Sequence, residues 1–481
     1  MSRLRRLALL VLLLLLGASL YAGFRLVRLA PIGSAYAAKT LCSGVFVSGR
    51  QPEVVIAEDI IADNTWLLRL VFPHVDLDNR RTSATFLGFA RRDAQFRPGL
   101  GCTLAIDASV PPQPRGTHSD NLAVEGSPLP RCASTDGNEA ATLEAALAWA
   151  FEEPDAQRLR RTRAIVVVQH GQIVAERYAP GFTPDTPLPG WSMTKTVAAA
   201  LTGMFIQDQR LRLDSRELLS EWRAAGDPRG QIALAQLLRM TDGLAFDEQY
   251  SNPLSDVVVM LLGTGDASGF ALRKPLAAAP GTTWRYSSGT TNVLAAVLRR
   301  RLEDGDLSGL LRRRLLDRLG MHRAVVEPDA AGTPVLSSFM LATAREWAAF
   351  GQFLLQDGVW HGERLLPPGW VGYMRTATPQ AARGDFGAHL WLKVPLGYGG
   401  TQPAAAGLPA DAFHLSGHEA QVVSVVPSRD LVVVRLGLSR LPRTWDHAEF
   451  LARVLRAFPG QTTFTPTIEK NAQQPCSKTL R

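Results

Sequence analysis

The sequence predicts a mixed α/β (α+β) fold in which an antiparallel sheet is flanked by helices and joined to a second, mainly helical lobe. Three observations carry this expectation. RAIVVVQHGQIVAERYAPG reads as two strands joined at His170-Gly171, and the unbroken run AIVVV suits a strand covered on both faces. AQVVSVVPSRDLVVVRLG adds two apolar runs around Pro427-Ser428-Arg429-Asp430, read as neighbouring antiparallel strands. Helical spacing fills the intervals, in ATLEAALAWAFEE, in TKTVAAALTGMFIQDQRLRLD, which ends in a short polar connection, in NVLAAVLRR and in HAEFLARVLRAF at 447–458. Strands and helices that alternate in this way bury their apolar faces in stacked layers.

Four regions follow along the chain. Residues 1–40 form a leader, 41–135 an accessory region of unknown role, 136–460 the α/β unit, and 461–481 an irregular tail. In the leader, MSRLRR precedes an uncharged run from Leu7 to Phe24, long enough to approach the hydrocarbon thickness as a helix if the flanking arginines snorkel. Ala35-Tyr36-Ala37 has the small residues that a signal peptidase accepts, but it lies beyond Arg25 and Arg28, so an uncleaved single-pass anchor is preferred over a cleaved signal. Arg3, Arg5 and Arg6 directly before the span favour an N-terminus inside and the bulk of the chain on the periplasmic face of the inner membrane. In the accessory region GVFV at 44–47 and SATFLGFA at 83–90 read as short strands, while 111–120 and 125–137 read as loops.

Charge excludes one class of partner. The chain carries 52 basic and 44 acidic residues, a net +8, but six basic residues and no acid fall within residues 1–40, leaving 46 against 44 elsewhere. No basic cluster beyond the leader coincides with a nucleic-acid-binding motif, so no nucleic acid partner is expected. Cys42, Cys102, Cys132 and Cys476 have no metal-ligand spacing, and export would permit disulfides, so structural bridges are expected and no metal or other cofactor.

Chemistry concentrates in Trp191-Ser192-Met193-Thr194-Lys195. A spacing of three puts Ser192 and Lys195 on one helical face, at an apolar helix entrance where desolvation would lower the lysine pKa and let it take the serine proton. Lys195 is the only lysine between Lys39 and Lys274, in a chain that otherwise uses arginine, and an arginine could not act as a base there. Downstream, Pro280-Gly281-Thr282-Thr283-Trp284-Arg285-Tyr286-Ser287-Ser288-Gly289 sets Tyr286 on a loop just before a helix, where its phenol could relay a proton. His170 and Asp242 read as turn residues and Asp385 as a loop residue.

In order, Ser-x-x-Lys, LLRMTDGL at 237–244, Tyr-Ser-Ser-Gly and a late Gly-rich strand resemble the class C beta-lactamase and serine esterase superfamily, with a flavour of its aminohexanoate-dimer hydrolases, over about residues 150–460. The resemblance implies a beta-lactamase/transpeptidase-like fold with Ser192 as the acylated nucleophile and Lys195 and Tyr286 as its proton-handling partners. It implies an oxyanion hole from the backbone N–H groups of Ser192 and His418. Ser288, His414, Gly417 and Trp191 are expected to contact substrate, a small-molecule ester or amide. The family's Lys-Thr-Gly strand motif is replaced here by Phe413-His414-Leu415-Ser416-Gly417-His418-Glu419-Ala420-Gln421, without a lysine, which argues against efficient penicillin or cephalosporin turnover. A D-alanyl peptidase or weak beta-lactamase, and a catalytically silent envelope binding protein, are the alternatives.

Overall fold

A computed structural model describes residues 3–106, 126–132, 137–395 and 407–459. The 111–120 loop and the 461–481 tail therefore lie outside the described residues, as does Cys476. Helix α1 (Arg3–Cys42) runs without a break across the boundary placed after residue 40. Its N-terminal leucines are exposed, whereas from Ala30 onward it is buried against the accessory region. Among the described residues it is the one helix long and apolar enough to cross a membrane.

The accessory region is a four-stranded antiparallel meander, β1 (Val71–Asp76), β2 (Arg81–Phe86), β3 (Phe89–Arg97) and β4 (Gly101–Ala105), wrapped on the buried half of α1. Two strand expectations change. Ser43–Val47 is a π-helical turn that continues the helix, with Gly44 packed on Val55 and Cys42 held in a disulfide to Cys102. The segment 83–90 is not one strand but the β2–β3 hairpin, because Leu87 (φ 48°) and Gly88 (φ 84°) both adopt the left-handed conformation of a two-residue turn. Cys132 is also disulfide-bonded.

The α/β unit begins with α2 (Gly137–Phe151), β5 (Thr162–Gln169) and β6 (Gln172–Tyr178), with His170 (φ 50°) in the β5–β6 turn as expected. Short strands β7 (Leu188–Pro189), β8 (Val325–Val326) and β9 (Met340–Ala342) form a small sheet, and β10 (Val359–Trp360) and β11 (Glu363–Arg364) a hairpin. The main sheet is completed by β12 (Phe413–Gly417), β13 (Gln421–Val426) and β14 (Leu431–Gly437), in the order β12-β13-β14-β5-β6, all pairs antiparallel.

Burial on both sheet faces explains the unbroken valine runs. Ile165, Val167 and Val433 pack under α2 and the closing helix (His447–Leu455), while Val166, Val168, Val423 and Val432 face the helix Ala344–Leu355 and the helical lobe. That lobe contains α3 (Thr194–Gln207) and α4 (Ser288–Arg299), both nearly all buried. The antiparallel sheet, flanking helices and helical lobe are those the sequence predicts.

Candidate active site

The end of β12 meets the entrance of α3. A Cβ placed on Gly417 would lie 2.1 Å from the Gly190 carbonyl oxygen, so only glycine allows this strand to approach the segment that carries Ser192. Ser192 sits in a 3₁₀ turn, Trp191–Met193, that feeds α3 directly. Trp191 holds φ at 49°, a left-handed conformation costing about 1–2 kcal/mol for a non-glycine residue. Its indole is fixed by an Nε1 donation to Glu419 Oε2 (3.3 Å) and by edge contacts with His418 and Tyr250.

Lys195, the second residue of α3, is 2% exposed and its Nζ lies 2.8 Å from Ser192 Oγ, 2.9 Å from Ser288 Oγ and 2.9 Å from the Ser337 carbonyl oxygen. As an ammonium Nζ donates one N–H to each of the three oxygens; on losing a proton it can keep the bonds to Ser288 and Ser337 and turn its lone pair to the Ser192 hydroxyl. Burial lowers the Lys195 pKa to about 8, against an opposing pull from Glu248. The Tyr286 ring stands with its centroid 5.0 Å from Nζ, on the loop just before α4. Ser192, Lys195, Tyr286 and Ser288 are thus brought together.

Two members of this cluster carry no sequence signal. Glu248 accepts from both the Ser288 hydroxyl (2.5 Å) and the Ser288 N–H (2.7 Å), so Ser288 links lysine and carboxylate. Burial raises the Glu248 pKa, with Lys195 pulling the other way. The Ser337 carbonyl is aimed by its neighbours: Asn292 of α4 donates from Nδ2 to Ser337 Oγ (3.1 Å) and accepts from the Ser337 N–H (3.4 Å). A glutamate in an irregular stretch and a main-chain oxygen have no spacing rule that would reveal them.

His414 departs from its expected place. Its side chain is 1% exposed and points to the sheet face opposite Lys195, with Nδ1 2.8 Å from Ser424 Oγ, which is in turn 2.7 Å from Nε2 of His447. Strand alternation is the cause: Phe413 and Leu415 face the helical lobe, so His414 between them faces the closing helix. Burial lowers its pKa to about 3, leaving a neutral imidazole on the far side of the sheet from Lys195. His418, by contrast, stacks on Tyr250 with centroids 4.5 Å apart and stands beside Trp191 at the nucleophile. Burial lowers its pKa as well.

Aromatic rings reach the serine and lysine as two groups. Trp191, His418 and Tyr250 form one, and Trp284, Tyr286, Phe386 and Trp391 the other. Asp242 is more than a turn residue: it is buried and accepts from Thr290 Oγ1 (2.7 Å) and the Leu244 N–H (2.8 Å), tying the 237–244 segment to α4. A surface concavity of about 780 Å³, lined by Arg229, Asp266 and Arg299 among others, contains none of the residues around Ser192. No group of three or more metal-ligating side chains occurs among the described residues.

The chain is 27% identical over 250 residues to a 6-aminohexanoate-dimer hydrolase of Paenarthrobacter ureafaciens, a match covering 48% of this chain and 62% of that relative, so it spans less than two-thirds of the relative's length. Among solved structures it is similar to EstCE1, a hydrolase with promiscuous acyltransferase activity (TM-score 0.52, 15% identity, 67% of this chain and 98% of that one). It is also similar to a penicillin-binding protein homolog from Caulobacter crescentus (TM-score 0.50, 19% identity, 68% and 97%). These structural likenesses are ones of fold. The beta-lactamase family profile matches residues 147–449, more than half of the chain and the whole stretch from α2 to the closing helix, and on that match the chain belongs to the beta-lactamase family of serine hydrolases.

Proposed function

We propose that the protein hydrolyses a small-molecule ester or amide through an acyl-enzyme on Ser192. The observation that carries this reading is the buried Lys195 Nζ, 2.8 Å from Ser192 Oγ, with its other two partners fixed. Ser192 Oγ attacks the substrate carbonyl carbon as its proton passes to Nζ, and the carbonyl oxygen becomes an oxyanion facing the N–H groups of Ser192 and His418. Tyr286 passes a proton to the leaving alcohol or amine as the C–O or C–N bond breaks. Water then adds to the acyl carbon, giving its proton to the same network, and the acid leaves as Ser192 regains its hydrogen. The aromatic groups on both sides of Ser192 supply an apolar cleft, and the segment 413–421 offers no lysine to a substrate carboxylate.

Residues 7–24 anchor the protein in the inner membrane, with the catalytic unit on the periplasmic face. Basic residues before the span and the disulfide between Cys42 and Cys102, chemistry suited to an oxidising compartment, support this placement.

The test is intact-mass labelling of the purified protein with a fluorophosphonate and, separately, with a penicillin, using Ser192→Ala as control. Adduction by the fluorophosphonate alone, lost in Ser192→Ala, is expected. Adduction by both reagents would point to peptidoglycan or beta-lactam chemistry, and adduction by neither on folded protein would sink the nucleophile. A second expectation concerns Glu248→Gln. Losing one charge-assisted hydrogen bond of about 1.5 kcal/mol lowers kcat/KM about tenfold. Because the Glu248 charge raises the Lys195 pKa, its removal shifts the midpoint of the pH profile to lower pH, a change that mere loosening of Ser288 would not produce.

A further inference from the structure

The accessory meander exposes several large apolar side chains that its own core does not use. Trp66 is 66% exposed, Phe72 57%, Leu87 52% and Phe89 43%. All four gather at one end of the meander. Phe72 is the second residue of β1, Phe89 opens β3, Leu87 tips the β2–β3 turn, and Trp66 starts the 3₁₀ turn leading into β1, while the Leu87 N–H is tied to the Leu70 carbonyl.

Helix α1 leaves the meander from this same end. A Cβ on Gly33 would touch Val71 and Leu68, at the start of β1, whereas the Ala38 carbonyl accepts from Thr82, opposite Val75 near its far end. Moving toward the N-terminus of α1 therefore means moving past Val71 toward the Leu87 tip. Arg28 lies five residues before Gly33, about 7.5 Å along the axis at 1.5 Å per residue. Leu87 lies one residue beyond Phe86, the partner of Val71, so its backbone advances about 3.3 Å and its side chain further. The tip thus reaches about the level of Arg28, just outside the uncharged run that ends at Phe24.

Two further features mark this end. Position 87 is the first left-handed residue of a two-residue turn, where asparagine, aspartate or glycine costs least, yet it carries a half-exposed leucine. Arg25 and Arg28 of α1 and Arg69 just before β1 are all exposed, while the exposed Arg91 pairs with Asp93 (2.8 Å). Aromatic rings with arginines at the level where a span ends suit the headgroup region, which is about 5–7 Å thick on each side of the hydrocarbon.

We propose that Trp66, Phe72, Leu87 and Phe89 form a collar that inserts into the headgroup–acyl boundary of the leaflet through which α1 exits, seating the accessory module on the membrane surface. This inference rests on the anchor reading above. The occupant is the lipid boundary rather than a second copy because the exposed apolar side chains lie at the level where the exposed apolar length of α1 ends, with exposed arginines close in sequence on α1 and the meander.

The full chain, reconstituted in vesicles of phosphatidylcholine and phosphatidylglycerol, tests it. No described cysteine carries a free thiol, so Leu87→Cys or Phe89→Cys can be labelled with an environment-sensitive fluorophore, and Leu77→Cys serves as control. Leu77 is 64% exposed but lies in the β1–β2 turn at the opposite end. The collar predicts blue-shifted emission at 87 and 89, quenched by a lipid-borne spin label and shielded from iodide, with the reverse at 77. Quenching of Trp66 by brominated lipid, lost in Trp66→Phe, gives the same answer without a label. Iodide quenching at 87 and 89 on protein that floats with the vesicles overturns the collar and spares the anchor. Shielding from both quenchers overturns it in favour of a protein contact, and failure to float overturns anchor and collar together.

Discussion

Lys195→Met is expected to lower kcat/KM toward the ester substrate by about 10³-fold, within the range for loss of a positioned general base, while leaving the chain folded. Methionine is apolar and of similar length, so it fills the space of the lysine stem in α3 without burying a charge. In the native protein burial holds the Lys195 pKa at about 8, so at pH 7 about a tenth of the molecules carry the neutral amine. The free amine is the competent base. The rate should therefore rise about tenfold per pH unit below the midpoint and level off above about pH 8. The variant should lose that limb altogether. Steady-state kinetics from pH 6 to 10 on both proteins decide it, and a native rate that is flat across this range would remove Lys195 from proton transfer.

Glu327→Leu is expected to carry the largest cost in stability, about 3–5 kcal/mol, the size for breaking one side of a buried ion pair. Glu327 is 1% exposed and belongs to the catalytic unit, yet its side-chain partners belong to α1 and the accessory region. It pairs with Lys39 of α1, accepts from Ser43 Oγ (2.9 Å) and accepts from the Cys102 N–H (2.6 Å). Burial lowers the Lys39 pKa while Glu327 opposes the fall, so removing the carboxylate leaves an amine that must lose its proton or bear an unpaired charge. The double variant Lys39→Met/Glu327→Leu should recover much of the loss, because the apolar pair strands no charge. Thermal melts of both variants in detergent check this, and equal destabilisation of single and double variants would show that the hydrogen bonds to Ser43 and Cys102 matter more than the ion pair.

What the sequence discloses of this fold follows its regular elements. The β5–β6 hairpin at His170-Gly171, the β13–β14 pair and α3 with Ser192 and Lys195 on one face are set by apolar periodicity and turn chemistry, which are local properties. A turn just ahead of a helix sets Tyr286 at the entrance of α4, whereas its place beside Lys195 is tertiary and is indicated by the family resemblance alone. Glu248 and the Ser337 carbonyl are supplied by irregular segments packed on α4, so only tertiary structure brings them to the lysine. His414 shows the opposite failure. One residue of register separates the two faces of β12, and the motif that names the strand does not say which face its histidine takes. Likewise GVFV has the composition of a strand but inherits a helical path from α1, whose end is tied to β4 through Cys42 and Cys102.

On the proposed anchoring, α1 links bilayer and catalytic unit as one helix from Arg3 to Cys42, with Pro31 at the junction of its exposed and buried halves. With residues 7–24 in lipid, the serine is carried as on a post rather than on a leash, at one height and one bearing relative to the leaflet. A flexible tether of the same length would let the site sweep a hemisphere, whereas a post confines it to a thin shell parallel to the surface. Substrates held at that height, or free to diffuse to it, are within reach, and those fixed deeper or farther out are not. Lengthening the post between residues 24 and 30 by one helical turn would raise the site by about 5.4 Å with little change of bearing, and so would alter which surface-bound esters are cleaved while leaving turnover of soluble ones unchanged.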